Sequence, residues 1–487
     1  MAGPVVLTAA AVAGARTGEQ LGAGPARVLL VGGALAGVGS MFLARGPARL
    51  VVGTVGVVLV ATALMQRALD GQEHSPLAAP THARAAATIT ATLAADPDGA
   101  RYHADVLVRV GRIDGRSTGH RTVHVTAGGD AAARLRLLES GDEIEVSGWF
   151  QPLAGYDRRL RWRHAVATFD AVELRSFDPA RSPLDRAANA LRARVLAGGR
   201  HLPATERALV AGFLLGDTRE LGRDVEEQFR ASGLTHLLAV SGANVAFVLA
   251  LTRPVVRRLG LRAQLVAGLA VLVLFGTMTR WEPSVLRACA MAACSMTALY
   301  LGRPTAGVRV LALAVLALVL ADPFLIHSIG FLLSCGASAG IAFLAAPITT
   351  RLRGPHCFRE PLGVTLAAQI GVAPVLIPVF GSVPLAALPA NLVAAPIVGP
   401  LTALGLVTGI AGGSVESWSP GAAAVLQAPT GLLAHAMLRT AHLFSRLPIE
   451  VDGRASAALI AAAALVGAAR LWSGRRHNLR VDALSSR

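Results

Sequence analysis

No lysine occurs anywhere in this 487-residue chain, and all 46 cationic side chains are arginine. Charge is scarce as well: Asp, Glu, Lys and Arg make up 16% of the residues, against about a quarter in a soluble globular protein. That shortage, with apolar runs near or above ~17 residues recurring along the chain, excludes a single water-soluble enzyme core. The four cysteines (Cys289, Cys294, Cys335, Cys357) sit in or beside apolar segments. They form no disulfide framework and say nothing about redox compartment. The 51 glycines follow no collagen period. A Gly-Lys phosphate loop is missing, so the chain is not expected to drive itself with ATP. There is no HxHxDH, HExxH or GxSxG pattern, and the 13 histidines are scattered. The chain is therefore expected to hold no catalytic metal, no serine nucleophile and no cofactor, and not to be an enzyme.

What is present is hydrophobicity, at 53% of residues with a mean hydropathy of +0.54. The formal net charge is +16. Arginine suits phosphate because its planar fork donates two parallel hydrogen bonds. A GC-rich coding sequence that avoids Lys codons explains the same bias, so the charge permits a phosphate-rich partner without requiring one.

Five regions follow from composition. Residues 1–66 are N-terminal membrane helices, with 28–44 and 50–66 each long enough to span and 4–15 a short further candidate. Residues 67–178 are polar and alternate. Strands are expected at 86–93, 104–112, 121–126, 143–150 and 159–168, with a short helix over 131–139. Five short strands avoid exposed edges by closing into a small OB-like barrel. Residues 179–231 read as amphipathic segments, 184–200 as an arginine-bearing helix at the membrane surface. Residues 232–472 form the membrane core, with spans expected at 234–252, 263–279, 284–301, 305–321, 328–349, 362–380, 384–410, 421–445 and 455–471. Residues 473–487 are a basic tail. The fold class is a polytopic α-helical membrane protein with an inserted small all-β, OB-like extracytoplasmic domain.

Arginine placement gives the expected orientation. Arg253, Arg257, Arg258 and Arg262 fill one connection, Arg303 and Arg309 flank another, and Arg351, Arg353 and Arg359 a third, whereas 322–327 and 381–383 hold none. The positive-inside rule puts the arginine-rich turns, Arg45 and Arg49 among them, in the cytoplasm together with Arg475, Arg476 and Arg480 of the tail. The barrel then lies outside.

Candidate chemistry concentrates at 232–252 (SGLTHLLAVSGANVAFVLALT), where His236, Ser241 and Asn244 sit among apolar residues and Gly233 and Gly242 weaken the helix. Polar groups at such a place face a substrate path through an interrupted helix, or serve as hydrogen-bonding glue between helices. Glu282 and Arg287 stand at the start of a later span, as path residues or as an interfacial salt bridge. Asp322-Pro323 reads as a helix cap, and Ser334, Cys335 and Ser338 as small residues for close packing. Gln369, Asn391 and the prolines from Pro374 to Pro400 suggest kinked or broken helices, around a cavity or simply packed. In the barrel, Arg159, Arg161 and Arg163 alternate with Trp162, which puts three guanidiniums on one strand face. They read as a phosphate-tracking stripe or as a solvated face. Residues 67–200 hold 19 Arg against 16 Asp plus Glu, a net of only +3.

At these motifs the chain resembles the ComEC family of competence proteins, the inner-membrane channels that admit one strand of DNA during natural transformation. The resemblance rests on GDTRELGRDVEEQFRASGLTHLLAVSGANV (216–245), PSVLRA (283–288), LADPFLIHSIGFLLSCGASAGI (320–341) and FGSVPLAALPANLVAAPIVGP (380–400), in order and spacing. GDEIEVSGWFQP (141–152) and RLRWRHAVATFDAVEL (159–174) are similar to the family's extracytoplasmic OB-like domain. Many relatives read Leu-His where this chain has Ala243-Asn244, so no role passes to Asn244 from that histidine. Many also end in a metallo-β-lactamase-like domain, whereas about 16 residues follow the last expected span here. The resemblance thus implies a form lacking the nuclease domain. It implies a DNA-uptake channel subunit in the plasma membrane, partnered by single-stranded DNA, the lipid bilayer, and a separate receptor, nuclease and ATP-driven motor. Its path would be lined by His236, Ser241, Gly242, Asn244, Glu282, Arg287, Gln369 and Asn391, with Arg159, Arg161, Trp162 and Arg163 as DNA contacts. A transporter of another phosphate-bearing or lipid-linked anion, and a non-conducting scaffold of an uptake complex, fit the same residues.

Overall fold

The computed structural model describes residues 2–22, 24, 26–43, 46–99, 102–303, 305–384, 386–447 and 450–452. The span expected at 455–471, the basic tail and Arg45 lie outside them. The chain divides into two compact units, one of residues 1–223, 236–331 and 397–437, the other of 224–235, 332–396 and the described part of 438–487.

The first unit opens with α1 (Ala2–Leu21), α2 (Ala26–Phe42) and α3 (Pro47–Glu73). The first helix is longer than the apolar run 4–15, because Thr17 to Gln20 continue it. Glycine sets the packing. Cβ atoms at Gly14 and Gly18 would strike the backbone of α3 at Val58 and Thr62, and Gly33 meets Gly56 in the same way. Backbones this close let Thr62 donate to the Gly14 carbonyl at 2.9 Å, an interhelical bond of the kind that small residues permit in apolar surroundings.

A short α4 (Ala78–His82) leads into β1 (Ala86–Leu93), β2 (His103–Ile113), β3 (Arg116–Gly128), α5 (Gly129–Leu135), β4 (Glu143–Gln151) and β5 (Ala165–Asp178). The strands close in the order β1-β2-β3-β5-β4, β3 and β5 running parallel and every other pair antiparallel. Alternate residues fill the interior: Ile89, Val106, Val108, Val123, Val125, Ile144, Val146 and Phe169 are among those buried. Phe150 meets Phe169 edge-on at 4.9 Å.

The strand expected at 159–168 is a correction. Residues Gly155–Arg163 form a 3-10 helix, and β5 starts only at Ala165. Gly155 (φ 52°) and His164 (φ 64°) both adopt left-handed backbone and bracket the segment, so its alternating RLRWR pattern never enters the sheet. Three residues per turn align Tyr156, Arg159 and Trp162 instead of the three arginines.

Next come α6 (Pro183–Gly198), α7 (Ala204–Leu215), α8 (Arg223–Ala231), α9 (Gly242–Val256), α10 (Leu261–Met278), α11 (Pro283–Tyr300), α12 (Gly307–Ala321), α13 (Ile329–Arg351), α14 (His356–Phe380), the strand β6 (Ser382–Pro384), α15 (Ala387–Val415), α16 (Pro420–Ser445) and β7 (Glu450–Asp452). Seven helices among the described residues are long and apolar enough to cross a membrane: α3, the stretch Thr235–Val256 containing α9, α10, α13, α14, α15 and α16; α2 and α12 are shorter apolar helices. Ser182 caps α6 by accepting from the Asp185 amide. Helix α6 turns a stripe of Ala188, Arg192, Val195 and Gly198 inward. Gly198 packs on the Gly409 carbonyl of α15, and Gly413 on that of Arg194.

In the second unit, α13 and α14 cross at backbone distance, Gly336 and Gly340 facing Gly371 and Ala367. The small-residue packing expected of Ser334, Cys335 and Ser338 is seen in the same stretch at Gly336 and Gly340. The prolines do not break the helices: α14 runs through Pro361, Pro374 and Pro378, and α15 runs continuously from Ala387 to Val415. The two are separated at 381–386, where β6 pairs antiparallel with β7.

Candidate functional site

A break among the apolar helices gathers polar groups at the start of α9. A 3-10 turn at Thr235–Leu237 gives way to irregular backbone through Val240, and α9 begins only at Gly242, after Ser241 in extended conformation. Unwinding frees backbone groups that apolar surroundings cannot satisfy, and neighbouring side chains take them up. The Glu282 carboxylate accepts the Val240 N–H at 3.1 Å, and the Ser284 hydroxyl donates to the Val240 carbonyl at 2.5 Å. Glu282 is itself the N-cap residue of α11, whose Pro283 opens the helix.

Asn244, 2% exposed, is the keystone of this collar. Its amide donates to the Phe213 carbonyl at 2.8 Å, one of the carbonyls left over at the C-terminus of α7. Its oxygen accepts from Ser241 Oγ at 3.1 Å and from Thr402 Oγ1 at 3.3 Å. One side chain therefore joins α7, α9 and α15. Gly216 ends α7 in left-handed backbone (φ 72°), and a Cβ there would fall on the Glu282 carboxylate. The Arg287 guanidinium is buried against the first turn of α9, a Cβ at Gly242 coming within 2.6 Å of its Nη2. Burial pushes the Glu282 carboxyl up to about 7, against the opposing pull of the Val240 N–H and the Arg192 charge.

The structure thus brings together Ser241, Gly242, Asn244, Glu282 and Arg287. His236 is exposed on the 235–237 turn. Gln369 and Asn391 belong to the second unit, half-buried on α14 and α15. Asp322 does cap, accepting from the Phe324 N–H at 3.0 Å, but the element it opens is the 3-10 turn Pro323–His327; Ser328 caps α13 through the Phe331 N–H.

Beside the collar lies a buried ionic hub with no counterpart among the expected site residues. Arg192, 1% exposed, donates to the last carbonyls of two helices, Leu215 of α7 at 3.1 Å and Met278 of α10 at 2.8 Å. A cation suits the negative end of a helix. Its other nitrogen reaches Asp96, in the loop after β1, at 2.7 Å and Asp217 at 3.4 Å. Arg280 pairs with Asp96 at 2.6 Å and donates to Asn189 at 2.8 Å. Arg219 grips Asp217 through two nitrogens at 2.8 and 2.6 Å. Burial raises the Asp96 carboxyl, but Arg192 and Arg280 outweigh it and hold Asp96 below the usual range. Glu139, nearby in the barrel, goes the other way: burial raises it further than the same arginines lower it. One sequence signal for the hub existed, an arginine in phase with Ala188 and Val195 on the inward stripe of α6.

The 155–163 segment forms a third polar contact. Trp162 stacks on His327 at 3.6 Å and meets Phe324 edge-on at 5.4 Å, and the Gln72 amide donates to the Arg161 carbonyl at 2.6 Å. Arg159 lies over Tyr156 and Arg161 over Trp162. Trp162 is thus a seam residue, while Arg159, Arg161 and Arg163 stay exposed along it.

A multi-pass helical membrane protein carrying an inserted closed barrel and a polar collar at an interrupted span is the class these features define. Within that class the chain belongs to the competence protein family, whose model matches residues 213–476, more than half of it. It is similar to ComE operon protein 3 of Bacillus subtilis (strain 168), at 26% identity over 197 residues that cover 40% of this chain and 25% of that protein. It is also similar to an uncharacterised protein, YcaI, of Escherichia coli K12, at 27% identity over 214 residues covering 40% and 28%. The chain thus matches little more than a quarter of either relative's length. No solved structure matches it.

Proposed function

We propose that this chain is a plasma-membrane component of a DNA-uptake system, and that a single strand passes at the interrupted start of α9. Family membership supports the reading. The observation that carries it is the collar: a break in an apolar span, lined by Ser241, Asn244, Glu282 and Arg287. A strand bears one charge per phosphate, and unaided transfer into hydrocarbon is prohibitive. Any route needs donors, which the first turn of α9 and a guanidinium supply. The collar described above is its closed state, with Asn244 on Phe213 and Glu282 on Val240. Opening exchanges those bonds for phosphate contacts.

Two features support an OB-like reading of the barrel, its strand order and the helix between β3 and β4. The arginine-rich turns at the far ends of the spans support an extracytoplasmic position.

Deleting the gene should abolish entry of labelled DNA into the cytoplasm and leave surface binding intact; normal import in that strain refutes the proposal. Asn244→Leu, compared at equal membrane abundance, should cut import by roughly tenfold, the factor that ~1.4 kcal/mol of altered gate energy produces. The mutual satisfaction of the collar groups favours one second reading, a non-conducting scaffold of the uptake complex. Under that reading Asn244→Leu imports normally.

A further inference from the structure

We propose that the β2–β3 ribbon of the barrel docks on the membrane and takes the phosphate headgroups of anionic lipids. Several arginines in and beside the domain have partners. Arg134 donates to the Leu174 carbonyl, Arg159 and Arg161 lie on aromatic rings, and Arg181 pairs with Glu143. Arg109, Arg112 and Arg116 are exposed, and none takes part in the arginine–carboxylate pairs found among the described residues. Strand register groups them near the turn of the ribbon, with Arg112 opposite Ser117, Arg116 opposite Ile113 and Arg109 opposite Thr122. The one acid between residues 106 and 129 is Asp114, and its carboxylate is occupied by the Thr88 N–H at 2.9 Å.

Location identifies the partner. Arg121, on the same ribbon, rests against Gly71, its Nη1 3.6 Å from where a Cβ would stand. Helix α3 has 27 residues, about 40 Å at 1.5 Å per residue, which matches a bilayer with its headgroups; Gly71, in its last turn, therefore emerges at headgroup depth. Two other contacts hold the barrel to the same face. Asp96 meets Arg280 in the turn after α10, and Trp162 meets His327 in the turn after α12. Spans that alternate direction bring both turns to the side where α3 ends. The barrel thus lies along the membrane surface, with the ribbon at its plane. A nucleic-acid strand is the less suitable occupant: no Phe, Tyr or Trp occurs between Tyr102 and Trp149, so the ribbon offers no aromatic platform for bases. A lipid phosphate needs only the guanidinium fork.

Hydrogen exchange on the full-length protein in nanodiscs tests this. Amides of 109–122 should exchange several-fold more slowly in discs containing phosphatidylglycerol than in phosphatidylcholine alone, while Val123–Ala127 exchange equally in both. Arg112→Gln with Arg116→Gln should abolish the difference, since each arginine contributes roughly fivefold to affinity for an anionic surface and the pair roughly 25-fold. Equal exchange of 109–122 in the two discs overturns the proposal. So does protection that survives the double substitution, or protection by an oligothymidine strand with no response to phosphatidylglycerol.

Discussion

The hub around Arg192 and the collar around Asn244 share the C-terminus of α7, yet treat buried polarity in opposite ways. In the hub, charges are matched directly: Asp96 and Asp217 meet Arg192, Arg280 and Arg219 within 3.4 Å. Those carboxylates stay ionised, and the cluster ties the barrel loop, α6 and the α10–α11 turn together. In the collar the hydrogen bonds of Asn244 are neutral, and the carboxylate of Glu282 accepts from a backbone N–H rather than from a cation, while the Arg287 guanidinium lies against the first turn of α9. A matched charge cluster is costly to open in a low-dielectric interior. An amide and a carboxyl poised near neutrality are not. The first is a fixture, and the second is suited to move.

The largest test of that contrast is Arg192→Met. Removing the guanidinium takes one of two cationic partners from each of Asp96 and Asp217, which keep Arg280 and Arg219. It also leaves the Leu215 and Met278 carbonyls without its N–H donors. The loss is up to about 3–5 kcal/mol, the cost of breaking a buried pair from one side. Thermal unfolding of the detergent-solubilised chain should show a large drop in Tm, against almost none for the exposed Arg186→Met. Equal Tm values for the two variants would remove the hub as a fixture.

That cluster was also the part least legible beforehand. Local period identifies elements: AATITATL at 86–93 alternates, and β1 spans those residues. Polar residues inside apolar runs identify the collar, because Ser241, Asn244 and Glu282 are conspicuous at such positions. Neither signal reveals a pairing between Arg192 and Asp96, which are 96 residues apart; charge in an amphipathic helix reads as solvated until the partner across the fold is known. RLRWR misleads for the opposite reason. Its alternation fits a strand, but left-handed backbone at Gly155 and His164 and the seat of Trp162 on His327 impose three residues per turn. Tertiary contact decided where local pattern was permissive. Gln369 and Asn391 carried the same polar-in-apolar signal as Asn244, and the structure puts them in the other unit.

Glu282→Gln sharpens the collar side, with an intermediate effect. The wild-type carboxyl titrates at about 7 when folded and near ~4.3 when unfolded, so between those values the folded state binds more protons. Stability is then fully present below the unfolded value and falls as pH rises through the folded one. Glutamine keeps an oxygen for the Val240 N–H and does not titrate. Tm of the wild type should therefore decline between about pH 5 and about pH 8, while the variant's declines less. Parallel curves would show that Glu282 is not the titrating group.

The smallest expected effect separates the seam from its arginines. Trp162→Ala removes the His327 stack and the Phe324 edge contact, and aromatic pairs contribute about 0.5–1.5 kcal/mol beyond the area they bury. The triple substitution of Arg159, Arg161 and Arg163 to Gln removes exposed cation–π contacts of about 0.5–1 kcal/mol at most each, so its Tm should fall less than that of the tryptophan variant. DNA binding reads the stripe independently of stability. Each phosphate a single strand yields to an arginine contributes about 0.7 to the slope of log affinity against log salt. Three working contacts therefore carry about 2 units of slope, which the triple variant should lose while Trp162→Ala keeps them. An unchanged slope in the triple variant would leave these arginines as the solvated rim of a structural seam.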